Sequence, residues 1–178
     1  AEALHDLDAR FQSGAFVLDD RFEDGHSAIE ADLTEHLGEL GKRIHLGRSR
    51  NDQVAVALRL FMLDHLREVR ALATDAQQTA EYLAKTHAGT PMPGYTHLQR
   101  AMPSSVNLWM GSFAEGFRDV AHLAKLTGEW IDSSPLGTAA GYGVPLPLDR
   151  EGVAQELGFD RVQENPMQVQ AARGRYEF

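Results

Sequence analysis

Apolar residues along this chain recur at helical spacing far more often than in strict alternation. From Ser27, the positions Ile29, Leu33, Leu37 and Leu40 fall along one side of a helix. Ser27 and Glu30 are spaced as a capping box at its start, and Gly38 and Gly41 end it. A much longer pattern runs from near Ser49 to about Thr86. Val54, Leu58, Phe61, His65, Val69, Leu72, Ala76, Ala80 and Leu83 form its stripe, and no glycine or proline interrupts it. At the standard rise such a helix spans roughly 55 Å, longer than a small domain is wide, so an elongated bundle is expected. The alanines allow close helix contact.

Thr90 to Pro103 carries three prolines and Gly94, which predicts an ordered loop rather than helix. Ser104 can cap a third helix running to about Ile131, with Trp109, Phe113, Phe117, Val120, Ala124 and Thr127 on one face. Two aromatics four residues apart predict core there. Pro135 to Pro147 is rich in glycine and proline and gives way at Asp149 to a short helix ending near Gly158. Pro166 suits the first turn of a last helix, which reads as continuing to Phe178. Period-two alternation is absent, so almost no strand is expected, and there is no internal repeat.

The fold class predicted is mostly α, an elongated helical bundle cut short before the end of its central bundle. Residues 1–48 read as an N-terminal helical segment, and 49–178 as the start of the long-helix bundle with inserted loops. Because the first residue is Ala1 and the last, Phe178, sits in a helical pattern, further sequence is expected at both ends.

Composition narrows the function. The 178 residues are 43% hydrophobic and 24% charged, ordinary for a soluble globular chain. There is no run of 18 apolar residues, so no membrane association and a cytoplasmic setting are expected. Cysteine is absent, which excludes a thiol nucleophile and a thiolate metal site in this chain. A formal charge of −9 argues against a nucleic-acid partner. A small anionic substrate stays open if cations gather locally.

Four stretches can carry chemistry. His45 to Asp52, HLGRSRND, sets Arg48 and Arg50 around Ser49 with Asn51 following, where unpaired N–H groups and the helix dipole favour a carboxylate. Taken alone, the same residues read more simply as Ser49 capping, Asp52 on the dipole and two solvated arginines. Met92 to Pro103, MPGYTHLQRAMP, holds Thr96, His97 and Gln99 between prolines. A fixed imidazole there can exchange protons near neutral pH, although one of eight histidines is as readily an ordinary loop residue. Ser134 to Glu151, SPLGTAAGYGVPLPLDRE, has glycines for close backbone approach but no Gly-Lys-Ser/Thr ending, so it is not a phosphate loop and reads first as a structural turn. Glu23 to Glu30, EDGHSAIE, puts Asp24 and His26 ahead of a helix. It lacks the spaced ligand pairs of a metal site, so no metal is expected.

In this order, GRSRNDQVA, MPGYTHLQRA, SPLGTAAGYG and PLDRE resemble the argininosuccinate lyase branch of the fumarase and aspartase superfamily, from about Asp19 onward. The resemblance implies long helices assembling into a homotetramer, with each active site built from three subunits and no cofactor. It implies that Ser49, Arg50 and Asn51 hold substrate carboxylates and amino-acid groups, that Thr96 touches substrate, and that His97 belongs to the acid/base pair. Gln99 matches a neighbouring contact, and Asp24 and His26 match a supporting position at a helix start. The reaction implied is β-elimination of argininosuccinate to arginine and fumarate, part of arginine biosynthesis.

Within that branch the other half of the acid/base pair is a serine on a flexible loop, Ser-Ser followed by Met-Pro and Lys-Asn-Pro, which this sequence does not contain. The 178-residue chain alone is therefore expected to be inactive and to expose helix faces whose partners lie elsewhere. Leu46 stands where most members carry Thr and Met102 where they carry Gln, and ENPMQVQAARGRYEF lacks the family's usual acidic residues. Two other readings remain at this point, a crystallin-like scaffold without activity and another lyase of the superfamily, such as one acting on adenylosuccinate.

Overall fold

The structure, a computed structural model, describes residues 1–174; the helical reading of the stretch up to Phe178 extends beyond the described residues. The elements in order are α1 (Glu2–Gln12), α2 (Gly25–Leu37), a 3₁₀ segment (Gly38–His45), α3 (Arg50–Thr86), β1 (Pro91–Thr96), β2 (Gln99–Ser105), α4 (Val106–Ile131), β3 (Ser133–Ser134), α5 (Arg150–Glu156), β4 (Arg161–Val162) and α6 (Pro166–Ala172). The predicted helical architecture is present, and no helix among the described residues is long and apolar enough to cross a membrane.

The rod is α3. Ser49 starts it as N-cap, and Asp52 reaches back to the Ser49 N–H to close a capping box. Two other helix starts differ from the sequence reading. Asp24, not Ser27, caps α2, with its Oδ1 accepting from the Ser27 N–H at 2.7 Å and the Ser27 hydroxyl at 2.9 Å. Ser105 rather than Ser104 caps α4, accepting from the Leu108 N–H at 3.1 Å. Aspartate and serine are comparable caps, so the first oxygen to meet a free N–H decides the boundary.

α4 returns antiparallel along α3. Asn107 at its start donates to the Ala84 carbonyl at 3.2 Å, and Gly128 near its end lies against Leu63. Apart from Val56, Arg59 and Leu63 near the start of α3 and Ile131 at the end of α4, the buried apolar positions are small, with Ala55, Ala73, Ala80 and Ala84 on α3 and Ala114 and Ala124 on α4. This corrects the sequence reading, because the large residues of the predicted stripes face outward. Phe61 is 58% exposed, Leu72 61% and Trp109 50%, and Val54, Leu58, Val69, Phe113, Phe117 and Val120 are exposed as well. Among the described residues only α4 runs the length of α3, so beyond Leu63 the covered face of α3 is a narrow line of alanines.

The expectation of almost no strand is also corrected. β1 and β2 form an antiparallel hairpin, with Thr96 opposite Gln99 and a bulge between Pro93 and Tyr95. Three prolines are tolerated because both strands of a two-stranded ribbon are edges. At the bulge a Cβ on Gly94 would sit 2.3 Å from the Met102 carbonyl oxygen, so only glycine lets the strands meet. The turn is His97–Leu98, both with left-handed backbone (φ 49° and 63°), the geometry of a tight two-residue hairpin turn.

Near the start of α3, away from the hairpin, lies the larger core of Val56, Leu63, Ile131, Leu136, Ala154 and Phe159. It is crossed by Arg59, 1% exposed. Arg59 donates to the Ser133 carbonyl at 2.6 Å, the Ser133 hydroxyl at 3.2 Å and Gln163 Oε1 at 2.6 Å, tying α3 to the parallel pair β3–β4. Arg59→Ala strands these acceptors in the core and is expected to cost about 3 kcal/mol in urea denaturation. Arg67→Ala, which removes only a surface pair with Asp64, is expected to cost under about 0.5 kcal/mol. Equal losses for the two would contradict this account of the core.

Candidate active site

Two helix starts converge on one charged pair. Arg50 Nη1 donates to Asp24 Oδ1 at 2.6 Å, and its Nη2 lies 3.5 Å from Glu30 Oε2. The N-cap of α2 and the first turn of α3 are thereby locked together, which places Asp24, His26, Ser49, Arg50 and Asn51 in one neighbourhood. The Ser27 backbone N–H, then its hydroxyl and Arg50, hold the Asp24 carboxyl below the usual carboxylate range against a smaller opposing effect of burial.

The side chains in this neighbourhood are not equally committed. Asn51 is exposed; its N–H donates to Ser49 Oγ at 3.3 Å, and its amide makes no hydrogen bond to the described residues. Arg48 also has no side-chain partner among them, although its neighbour Arg50 is already paired. Arg48, His26 and His45 line a cleft of about 600 Å³ with Glu30, Gln53 and Glu156 and an otherwise apolar wall. Gln53 Oε1 is buried there without a hydrogen-bond partner. Ser49, Arg50, Asn51, Thr96, His97 and Gln99 are not among the lining residues of that cleft.

Thr96, His97 and Gln99 are all exposed and sit at the hairpin tip, past the opposite end of α3. Thirty-seven helical residues span about 55 Å, and a six-residue strand folds back at most about 20 Å. Within one chain His97 therefore cannot approach Asn51. The structure brings together the first set of predicted residues and keeps the second set apart from it. Leu46 and Met102 are both exposed. No three His, Cys, Asp or Glu side chains among the described residues are gathered so as to hold a metal ion.

Sequence reasoning did not single out Asp52 as more than a dipole partner. It is 0% exposed, and burial pushes its carboxyl up, against the N–H groups of Ser49 and Ala139 and the charge of Arg173. Its spacing from Ser49 was a signal for the cap; nothing local announced Ala139.

The chain belongs to the Lyase family, whose model matches residues 1–176. Among curated relatives it is 53% identical over 177 residues to an argininosuccinate lyase of Xanthomonas euvesicatoria pv. vesicatoria, covering 99% of this chain and 41% of that protein. It is 49% identical over 180 residues to an argininosuccinate lyase of Stenotrophomonas maltophilia, covering 99% and 42%. The chain thus spans about two fifths of the length of these relatives. A solved EDDS lyase variant with bound fumarate matches at a TM-score of 0.78 and 26% identity, covering 93% of this chain and 31% of that one.

The Asp24 pairing has a definite pH signature. A carboxyl held below its ordinary range in the folded state contributes stability above its unfolded pKa and loses it as pH falls through the folded value. Asp24→Ala is therefore expected to be less stable than the parent at neutral pH, with the gap closing in acid. Thermal melts from pH 7 to pH 2 check this, and a gap that widens in acid would contradict it.

Proposed function

We propose that the protein to which this chain belongs is an argininosuccinate lyase acting in the cytoplasm. It removes a proton from the carbon beside a succinate carboxylate and expels the guanidinium nitrogen, giving fumarate and arginine. The observation that carries this reading is the kinship to argininosuccinate lyases along 99% of the chain, supported by the free side chains of Asn51 and of the hairpin tip. In it, Ser49, Arg50 and Asn51 hold the substrate's carboxylates and amino-acid groups, with Asp24 keeping Arg50 oriented and His26 supporting the same helix start. Thr96 contacts substrate beside Gln99, and His97 supplies one half of the acid/base pair. No cofactor is needed, because the charge that builds on the carboxylate is met by preorganised N–H donors and Arg50.

Since one chain cannot join Asn51 to His97, the reading requires that different subunits supply them. A homotetramer does this, and the exposed aliphatic and aromatic faces of α3 and α4 are the surfaces it would bury. Full-length protein is expected to release fumarate from argininosuccinate, followed by ultraviolet absorbance. Elimination from adenylosuccinate with argininosuccinate untouched would overturn the assignment.

Three further outcomes are expected. Full-length His97→Asn should lose about a hundredfold or more in kcat, and Asn51→Ala about a hundredfold. Unfolding the two variants together and refolding the mixture should regain activity that neither has alone, because some mixed sites receive both intact residues; a mixture that stays inactive rules out shared sites. The isolated 178-residue chain should associate in light scattering, and Phe61→Lys with Phe113→Lys should reduce its mass, whereas a well-behaved monomer from the unaltered chain would count against these faces as interfaces.

A further inference from the structure

Asp52 is the only fully buried carboxylate among the described residues, and its two oxygens serve different parts of the chain. Oδ1 accepts the Ser49 N–H at 2.9 Å, and Oδ2 accepts the Ala139 N–H at 3.1 Å, from a residue 87 positions away. Capping α3 explains the first bond and not the second. A helix cap also needs no burial, and burying a carboxylate is costly unless its oxygens are satisfied.

The segment that Asp52 reaches is a built loop. Ala139 holds a left-handed backbone at φ 48°, unfavourable for a residue with a Cβ. Its carbonyl accepts from Arg173 Nη2 at 3.0 Å, so Ala139 is gripped by Asp52 on its N–H side and by Arg173 on its carbonyl side. The N–H groups of Gly141 and Gly143 both return to the Thr138 carbonyl, at 3.1 and 3.0 Å. A Cβ on Gly141 would lie 1.5 Å from Gln170 Oε1, so the loop is packed tightly on α6. The N–H groups of Ala140 and Tyr142, both on exposed residues, are left without a partner among the described residues.

We propose that Asp52 is a positioning residue, whose carboxylate locks the Thr138–Gly143 loop to the start of α3 so that this loop forms a wall of the substrate site beside Ser49–Asn51. The inference rests on the lyase reading above and deepens it. Two N–H donors converge on Asp52 from opposite sides, so both oxygens must accept. Asparagine has the same shape but would turn its amide donors toward one of them. The free N–H groups of Ala140 and Tyr142 are then neutral donors suited to a carboxylate, held at fixed distance from Asn51.

The test uses the full-length protein with Asp52→Asn, Arg173→Gln and the control Asp149→Ala, which removes only the cap of α5. Amide hydrogen exchange is followed across 137–143 and along α4, and fumarate release gives kcat and KM. In Asp52→Asn, exchange across 137–143 is expected to quicken tenfold or more with α4 unchanged, KM to rise and kcat to fall at least tenfold. Arg173→Gln, which releases the same residue from its other side, is expected to do likewise and carries the test if Asp52→Asn does not fold. Asp149→Ala is expected to alter exchange in α5 alone and neither kinetic constant. A 137–143 segment that stays protected, or one that is released while kcat and KM stay at the parent values, overturns the proposal. If the parent itself leaves argininosuccinate intact, the lyase reading fails, whereas the exchange measurement still decides whether Asp52 holds the loop.

Discussion

A continuous α-helix cannot shorten, and the length of α3 governs everything else in this molecule. Its hydrogen-bond ladder runs unbroken from the Ser49 cap to Thr86, fixing about 55 Å between the charged start of the rod and the hairpin beyond its end. A shorter or hinged element would let one chain gather all its polar residues into a pocket. A rod instead keeps the group at its start and the group beyond its end apart within one chain.

The packing along the rod follows from the same constraint. α4 lies close to α3 because the buried positions are mostly alanine, so backbone proximity replaces large interlocking side chains within the chain. The bulky residues are thereby left on the outer surface. At the base of the rod the specificity is polar instead. Arg59 ties the third turn of α3 to Ser133 and Gln163, and Asp52 ties its start to Ala139. These buried groups each satisfy several partners from distant sequence and fix the axial position of the rod against the connecting loops.

Much of this was legible in the sequence, for physical reasons. Helix starts and ends were readable where a capping oxygen or a glycine stood alone, as at Ser49, Asp149 and Gly38. Where two candidate caps stood close together, as with Asp24 and Ser27 or Ser104 and Ser105, spacing could not rank them. Periodicity located α3 and α4 but could not say which face a single chain buries, since a stripe facing a partner reads the same as one facing the core. The hairpin escaped because its turn lacks the Asn-Gly signature and its strands carry three prolines. At the site, the grouping of Ser49, Arg50 and Asn51 followed from adjacency. The links from Arg50 to Asp24 and from Asp52 to Ala139 join separate segments and left no local trace.

The bare backbone at Gly94 has a mechanical consequence. It sits at the bulge, where a Cβ would run into the Met102 carbonyl of the facing strand, and the imidazole of His97 sits three residues farther out, about 10 Å along the ribbon. Any side chain at that fulcrum would pry the strands apart and swing the tip through a larger arc than the wedge itself. The aim of the histidine is thus set by an atom that is missing from the glycine, well away from the ring it directs.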